Sequence, residues 1–125
     1  PTIFDRVRPE MRIAQEEIFG PVLAVIRVES FDEALAAAND SQFGLTSSIY
    51  TRDALRMFRY IDEIETGMTH VNSPTLGGEA QVPFGGTKAT TVGPTEQGTE
   101  VFDFYTETKV AYIDYTGAKR EGKLY

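Results

Sequence analysis

Glu16 and Glu17 stand side by side and run directly into Ile18-Phe19-Gly20-Pro21-Val22. An ionised carboxylate accepts hydrogen bonds on two oxygens and donates none, so it can fix a group that offers paired donors. A second constellation lies much later: Asn72-Ser73-Pro74, then Thr75-Leu76-Gly77-Gly78-Glu79, then Pro83-Phe84-Gly85-Gly86-Thr87-Lys88, with Glu96 beyond. Its glycines let backbone approach a ligand closely or take φ > 0. It is not a phosphate loop. Lys88 is followed by Ala89 rather than Ser or Thr, and no Gly-x-Gly-x-x-Gly opens a helix after a strand. Other chemistries are excluded by composition. There is no cysteine and one histidine, which rules out a disulfide scaffold and a Cys/His zinc site. A Ser/His/Asp triad would have to use His70, which falls mid-strand, and no Gly-x-Ser-x-Gly elbow accompanies it. His70 reads as structural. The acidic residues do not follow a calcium-loop pattern.

The remaining composition is that of an ordinary globular piece. Of 125 residues, 41% are hydrophobic and 25% charged. Such a length suits one domain or part of one, able to bury roughly two thirds of its unfolded surface. A net charge of −7 opposes binding to nucleic acid, because neutralising phosphates takes clustered Lys and Arg. The nearest cluster, Lys119-Arg120 with Lys123, sits in a polar tail. No apolar run approaches the ~20 residues that span a bilayer, and no secretory series opens the chain, so no membrane partner is expected and the location expected is cytoplasmic. Without a secretory signal, the sequon Asn39-Asp40-Ser41 reads as helix-ending polar residues.

Periodicity places these motifs on elements. Ile3-Phe4 is strand-like, and the short β-branched run 22–28 predicts a strand buried on both faces. Ser30-Phe31-Asp32-Glu33 predicts a capping box, the Ser30 hydroxyl accepting from the N–H of Glu33 and the Glu33 carboxylate reaching back to that of Ser30. A helix over 31–39 follows, packing through Phe31, Ala34, Leu35 and Ala38, with Gly44 at its exit. Next come a strand over 45–50, a helix over 53–65 with the stripe Leu55, Phe58, Ile61 and Ile64, a stop at Gly67, and a strand over 68–72. Strand and helix alternating with short connections predicts an α/β fold: overlapping right-handed βαβ units in a parallel sheet. Residues 73–95 make a loop longer than ordinary connections, ordered against something apolar. A helix over 96–105 and a strand over 108–115 complete the chain.

In order, spacing and setting, the motifs Glu16–Val22 and Pro83–Lys88 resemble the C-terminal part of an aldehyde dehydrogenase over nearly the whole chain. The resemblance implies a catalytic-domain part over residues 1–107 and an oligomerisation strand and tail over 108–125. It implies a homodimer or homotetramer, NAD or NADP as cofactor, and a small-molecule aldehyde, a semialdehyde among the candidates, oxidised to a carboxylic acid. In that family a cysteine thiolate attacks the carbonyl, hydride passes to the nicotinamide, and water hydrolyses the thioester. A chain without cysteine is therefore expected to be a fragment, inactive alone, and its start at Pro1 looks like a cut.

The same resemblance assigns residues. Glu17 matches the glutamate that accepts from two nicotinamide-ribose hydroxyls, a vicinal diol presenting two donors about one carboxylate width apart. Phe19 matches the aromatic beside the nicotinamide. Phe84, with Thr75, Leu76, Gly77, Gly78 and Glu79, matches the border of the substrate channel, and Glu96 a glutamate in a lysine and water network. The plainer reading makes Glu16 and Glu17 solvated carboxylates near Arg12, Phe19 core, Lys88 a surface residue, and Glu96 a helix first-turn acid. One departure stands out. After the lysine the family continues x-Ser-Gly-x-Gly, whereas this chain has Ala89-Thr90-Thr91-Val92-Gly93, and Thr95 stands where arginine is common. Threonine disfavours φ > 0, so the backbone near Thr91 either differs or is strained. The rival reading from another class is a free-standing α/β binding or assembly module without redox chemistry.

Overall fold

The fold is that of a computed structural model, in which residues 1–115 and 117 are described. Strand β1 (Thr2–Phe4) pairs in parallel with β2 (Val22–Ala24), Thr2 opposite Val22, and the four-residue helix α1 (Arg12–Gln15) lies between them in sequence. Helix α2 (Phe31–Asn39) leads to the short β3 (Phe43–Gly44) and to β4 (Thr46–Ile49). Helix α3 (Ala54–Glu63) then connects β4 to a parallel β5 (Met68–Val71), with Thr46 opposite Met68. β6 (Thr87–Lys88) returns antiparallel to β3, and α4 (Glu100–Tyr105) follows.

The α/β class holds and so does the second expected βαβ unit, β4–α3–β5, but the first does not, because the sheet is divided. Strands 22–28, 45–50 and 68–72 were expected to share one ladder; instead β1–β2, β3–β6 and β4–β5 form three two-stranded sheets among the described residues. α2 therefore leads from one sheet toward another rather than crossing over within one. The observed β2 is also short. Beyond Ala24 the chain leaves the ladder, although Val25 still donates to the Phe4 carbonyl at 2.8 Å and accepts from the Val7 N–H at 3.0 Å.

Local chemistry explains the helices. Ser30 Oγ accepts from the Glu33 N–H at 3.1 Å, while the Glu33 carboxylate accepts from the N–H of Glu29, not of Ser30 as the capping box predicted. Asp53 caps α3 by accepting from the N–H groups of Leu55 and Arg56. Of the stripe expected to bury α3, only Ile64 is buried: it joins Tyr60 and Leu35 of α2, with Phe31 and Ile49 against them, whereas Leu55 is 82% and Phe58 65% exposed. Arg59 decides the phase. It lies 5.3 Å from the Phe31 ring and pairs with Asp32 and Glu63, so α2 meets the side of α3 beside Arg59.

Two glycines act differently from their expected roles. Gly44 does not mark the exit of α2, which ends at Asn39 with Asp40 as its C-cap, but is buried within β3. Gly67 does not close α3, whose C-cap is Ile64; it is required because a Cβ there would lie 2.0 Å from the Gly85 carbonyl oxygen. The last helix begins at Glu100 rather than 96, since Gly98 takes φ 56° just before it.

Val7, Leu35, Tyr60 and Ile64 are the only buried hydrophobic residues among the described residues. The chain exposes 10517 Å², against about 6,700 Å² for a compact monomer of its mass. About half of the unfolded surface is buried, not the two thirds its length suggested. Residues 108–115 belong to no strand: Val110, Tyr112, Ile113 and Tyr115 are all exposed. A strand exists only through its partner, and no sheet among the described residues takes these residues in. The basic cluster Lys119-Arg120 and Lys123 falls outside the described residues.

Candidate functional site: two clefts on either side of a glycine junction

The first cleft, of about 470 Å³, opens beside α1 and is bounded by Gln15, Glu16 and Glu17 on one side and by Phe43, Ala89 and Thr90 on the other. Its two carboxylates are in different states. Arg12, one turn earlier, donates to both oxygens of Glu16 at 2.7 and 2.8 Å, and these bonds hold the Glu16 carboxyl below its ordinary range. Glu17 is exposed and carries no hydrogen bond among the described residues. Both of its oxygens are therefore available to a ligand.

Phe19 is not core. It is 91% exposed, and its backbone takes φ 53°, a conformation that costs a bulky residue on the order of 1–3 kcal/mol. The bend is held from its far side, where Val22 donates to the Gly20 carbonyl at 2.8 Å and Thr2 to the Pro21 carbonyl at 2.9 Å. The start of β2 thus fixes an aromatic that nothing in the interior claims.

The second cleft, of about 510 Å³, lies between the start of β5 and the long loop. Thr75, Leu76, Gly77, Gly78, Glu79 and Phe84 all line it, so the structure gathers the whole set that the sequence assigned to a channel. His70 and Gln97 line it too, and the sequence reading passed over both in this role. For His70 the signal was its place in a strand leading to the loop; Gln97 sits at φ 68°, which nothing local foretold. Gly77 turns the loop at φ 88°, and the Glu79 carboxylate accepts from the Gln81 amide.

Glu96 is brought to Phe84 but not into that cleft. The two residues exchange backbone hydrogen bonds of 2.5 and 2.8 Å in an antiparallel bridge, and Glu96 lines a separate recess with Thr91 and Pro94. It is not a helix first-turn acid, because α4 starts later. Next to the bridge, Gly85 lies against Thr95: a Cβ on Gly85 would be 2.7 Å from the Thr95 methyl carbon.

The threonines at 90 and 91 adopt no φ > 0, so the alternative of strain at Thr91 is set aside. Their hydroxyls instead accept from backbone: Thr90 Oγ1 from the Gly44 N–H at 2.8 Å and Thr91 Oγ1 from the Gly86 N–H at 2.6 Å. Positive φ falls at Lys88 and Gly93 instead. Lys88 is no loose surface residue. Its ammonium donates to the carbonyls of Asn39 and Ser41 and pairs with Glu65 at 2.7 Å. Among the described residues no group of three or more His, Cys, Asp or Glu could hold a metal ion.

Comparison with known proteins gives one consistent answer. Residues 1–111 match the aldehyde dehydrogenase family. The chain is 52% identical over 116 residues to the alpha-ketoglutarate semialdehyde dehydrogenase of Haloferax volcanii, covering 92% of this chain and 24% of that protein. It is 50% identical over 113 residues to the alpha-ketoglutaric semialdehyde dehydrogenase of Bacillus subtilis, covering 90% and 23%. Among solved structures it resembles an NAD-dependent aldehyde dehydrogenase from Sinorhizobium meliloti, with a TM-score of 0.81 at 38% identity over 87% of this chain and 21% of that one. A methylmalonate-semialdehyde dehydrogenase from the same organism, described as putative and complexed with NAD, matches with a TM-score of 0.80 at 38% identity over 86% and 22%. The chain spans about a quarter of the length of the curated relatives it matches.

Proposed function

Because the chain belongs to the aldehyde dehydrogenase family, we propose that it forms the nicotinamide-ribose and aldehyde-facing walls of an NAD(P)-dependent enzyme oxidising an aldehyde to a carboxylic acid. The observation that carries this reading is the contrast between the two adjacent carboxylates, Glu16 occupied by Arg12 and Glu17 open on both oxygens. A ribose diol needs an acceptor of that kind, and an exposed aromatic two residues on suits the flat ring attached to the ribose. The residues present fit the cofactor.

When bound, a nicotinamide cofactor accepts hydride. This chain's share is placement. Glu17 holds the ribose hydroxyls, and Phe19, fixed by the Gly20-Pro21 bend, bounds the ring. Phe84 and the loop 75–79 confine the aldehyde. Holding reactants in one geometry can supply several kcal/mol of barrier lowering without any covalent bond from these residues. Glu96 is a proton or water relay candidate approached from the other side of Phe84. The thiolate of the reaction is supplied by residues other than these 125, which include no cysteine.

The substrate class we favour is a semialdehyde, supported by the two similar proteins whose names specify one. Residues 1–107 act as the catalytic-domain part, and the exposed apolar stretch 108–115 as an assembly strand in a homodimer or homotetramer. No helix among the described residues is long and apolar enough to cross a membrane, and we place the enzyme in the cytoplasm.

The test is Glu17→Gln in a full-length enzyme carrying this segment. An amide keeps the volume but loses the charge and one acceptor, so NADH or NADPH affinity should fall by about tenfold at unchanged melting temperature. Unaltered cofactor affinity and turnover would return Glu17 to a solvated loop carboxylate.

A further inference from the structure

The last turn of α2 receives side-chain donors from two distant parts of the chain, Gln15 and Lys88. Carbonyls at a helix C-terminus lack intrahelical partners and carry partial negative charge, and α2 has no basic residue in its last turn to answer them. Gln15, from the border of the first cleft, and Lys88, from the segment that joins Phe84 to Ala89, answer instead. Lys88 Nζ donates to the Asn39 carbonyl at 2.6 Å and the Ser41 carbonyl at 3.0 Å. The carbonyl between them, that of Asp40, accepts from Gln15 Nε2 at 2.7 Å. Consecutive carbonyls of one turn are thus claimed alternately from the two sides.

Each donor sits where its displacement would be felt. Gln15 borders the first cleft and precedes Glu16-Glu17, and its amide also donates to the Pro9 carbonyl at 2.8 Å. Lys88 sits at φ 56°, with Phe84 in the second cleft before it and Ala89 and Thr90 on the wall of the first cleft after it. The ammonium is filled by the two carbonyls and the Glu65 carboxylate. The same turn is tied to the end of α3, since Asn39 Nδ2 donates to the Glu63 carbonyl and Asn39 Oδ1 accepts from the Glu65 N–H. Residues 39–41 therefore form a common fixed point.

We infer that Lys88 and Gln15 are positioning residues that set the two clefts against one another through the last turn of α2. The inference rests on assigning Glu17 to the cofactor and Phe84 to the aldehyde. It predicts that Gln15, which borders only the first cleft, acts on the second, an effect that a glutamine merely supporting its own cleft would not produce. Loss of Lys88 disturbs cofactor binding, and loss of Gln15 disturbs aldehyde binding.

The experiment uses a full-length enzyme carrying this segment, with Lys88→Met, Gln15→Met and the double variant. NADH and NADPH dissociation constants are read by fluorescence titration without aldehyde, and aldehyde KM and kcat by steady-state kinetics. Lys88→Met should weaken reduced-cofactor binding, and Gln15→Met should raise aldehyde KM, each by about threefold to tenfold. The double variant should fall short of the product of the single effects, because both act through one turn. An effect of Gln15→Met confined to cofactor binding, or single effects that simply multiply, overturn the inference. If Lys88→Met does not fold, Glu65→Gln removes the ion pair but leaves both carbonyl bonds; about a twofold loss of cofactor affinity supports the inference, and none overturns it. Glu17→Gln separates the two levels. If it leaves cofactor affinity intact, the assignment beneath the inference fails; if it weakens binding while Lys88→Met does not, the inference alone fails.

Discussion

The two clefts are built by opposite means. The Glu17 wall comes from a few consecutive residues in which one arginine occupies one carboxylate and a strained bend pushes an aromatic outward. The Phe84 wall comes from a long loop anchored by backbone contacts, with Gly67 against Gly85 and Phe84 bridged to Glu96. The difference teaches where each wall can change. On the function proposed for them, the first wall accepts from a diol, whose geometry tolerates little variation and is carried by adjacent residues. The second confines an aldehyde by shape, and shape can be altered at Leu76 or Glu79 while the anchors stay.

Breaking an anchor should have the largest effect. Gly67→Ala drives a methyl into the Gly85 carbonyl, which backbone on both sides cannot yield to, and should cost about 3 kcal/mol or more in chemical denaturation. Removing a lining side chain should be milder and one-sided: Phe84→Ala raises aldehyde KM by about tenfold and leaves NADH affinity within about twofold. A comparable loss of cofactor affinity in that variant would show that the walls are not separable in this way.

On the other wall, Phe19→Gly relieves the positive φ and removes the ring. It should stabilise the fold by about 1 kcal/mol while weakening cofactor binding, a trade visible by comparing melting temperature with NADH titration. The smallest effect concerns charge. The Glu16 carboxyl is depressed below its ordinary value near 4.5 by the hydrogen bonds from Arg12. A depressed carboxyl contributes stability that is present above its unfolded value and lost as pH falls through the folded one. In Arg12→Met, the Glu16 midpoint followed by NMR should rise toward 4.5, and the added acid sensitivity below that pH should disappear.

What was legible in the sequence was local. Helix boundaries at Ser30 and Asp53 follow from caps, and the Glu16–Pro21 bend and the glycine loop follow from residue type. What was hidden depended on distant partners. No local signal says that Gly44 and Gly67 are needed for close approach rather than for turns, or that Lys88 reaches the end of α2. The division of the sheet is likewise a matter of long-range pairing. The stripe of α3 was read correctly only at Ile64, because apolar residues lie on more than one side of the helix, and the packing of Arg59 on Phe31 turns the Tyr60 side toward α2.

The contact between Gly85 and Thr95 bears on how this loop can evolve or be redesigned. Adding a side chain at 85 collides with the Thr95 methyl, whereas shortening that residue first, as in Thr95→Ser, removes the nearest obstacle and leaves atoms at 3.3 Å that need give only slightly. The same pair of substitutions is therefore blocked in one order and open in the other. Mutational libraries that sample position 85 on the unaltered background will score it as immutable, when the constraint belongs to the history of its neighbour.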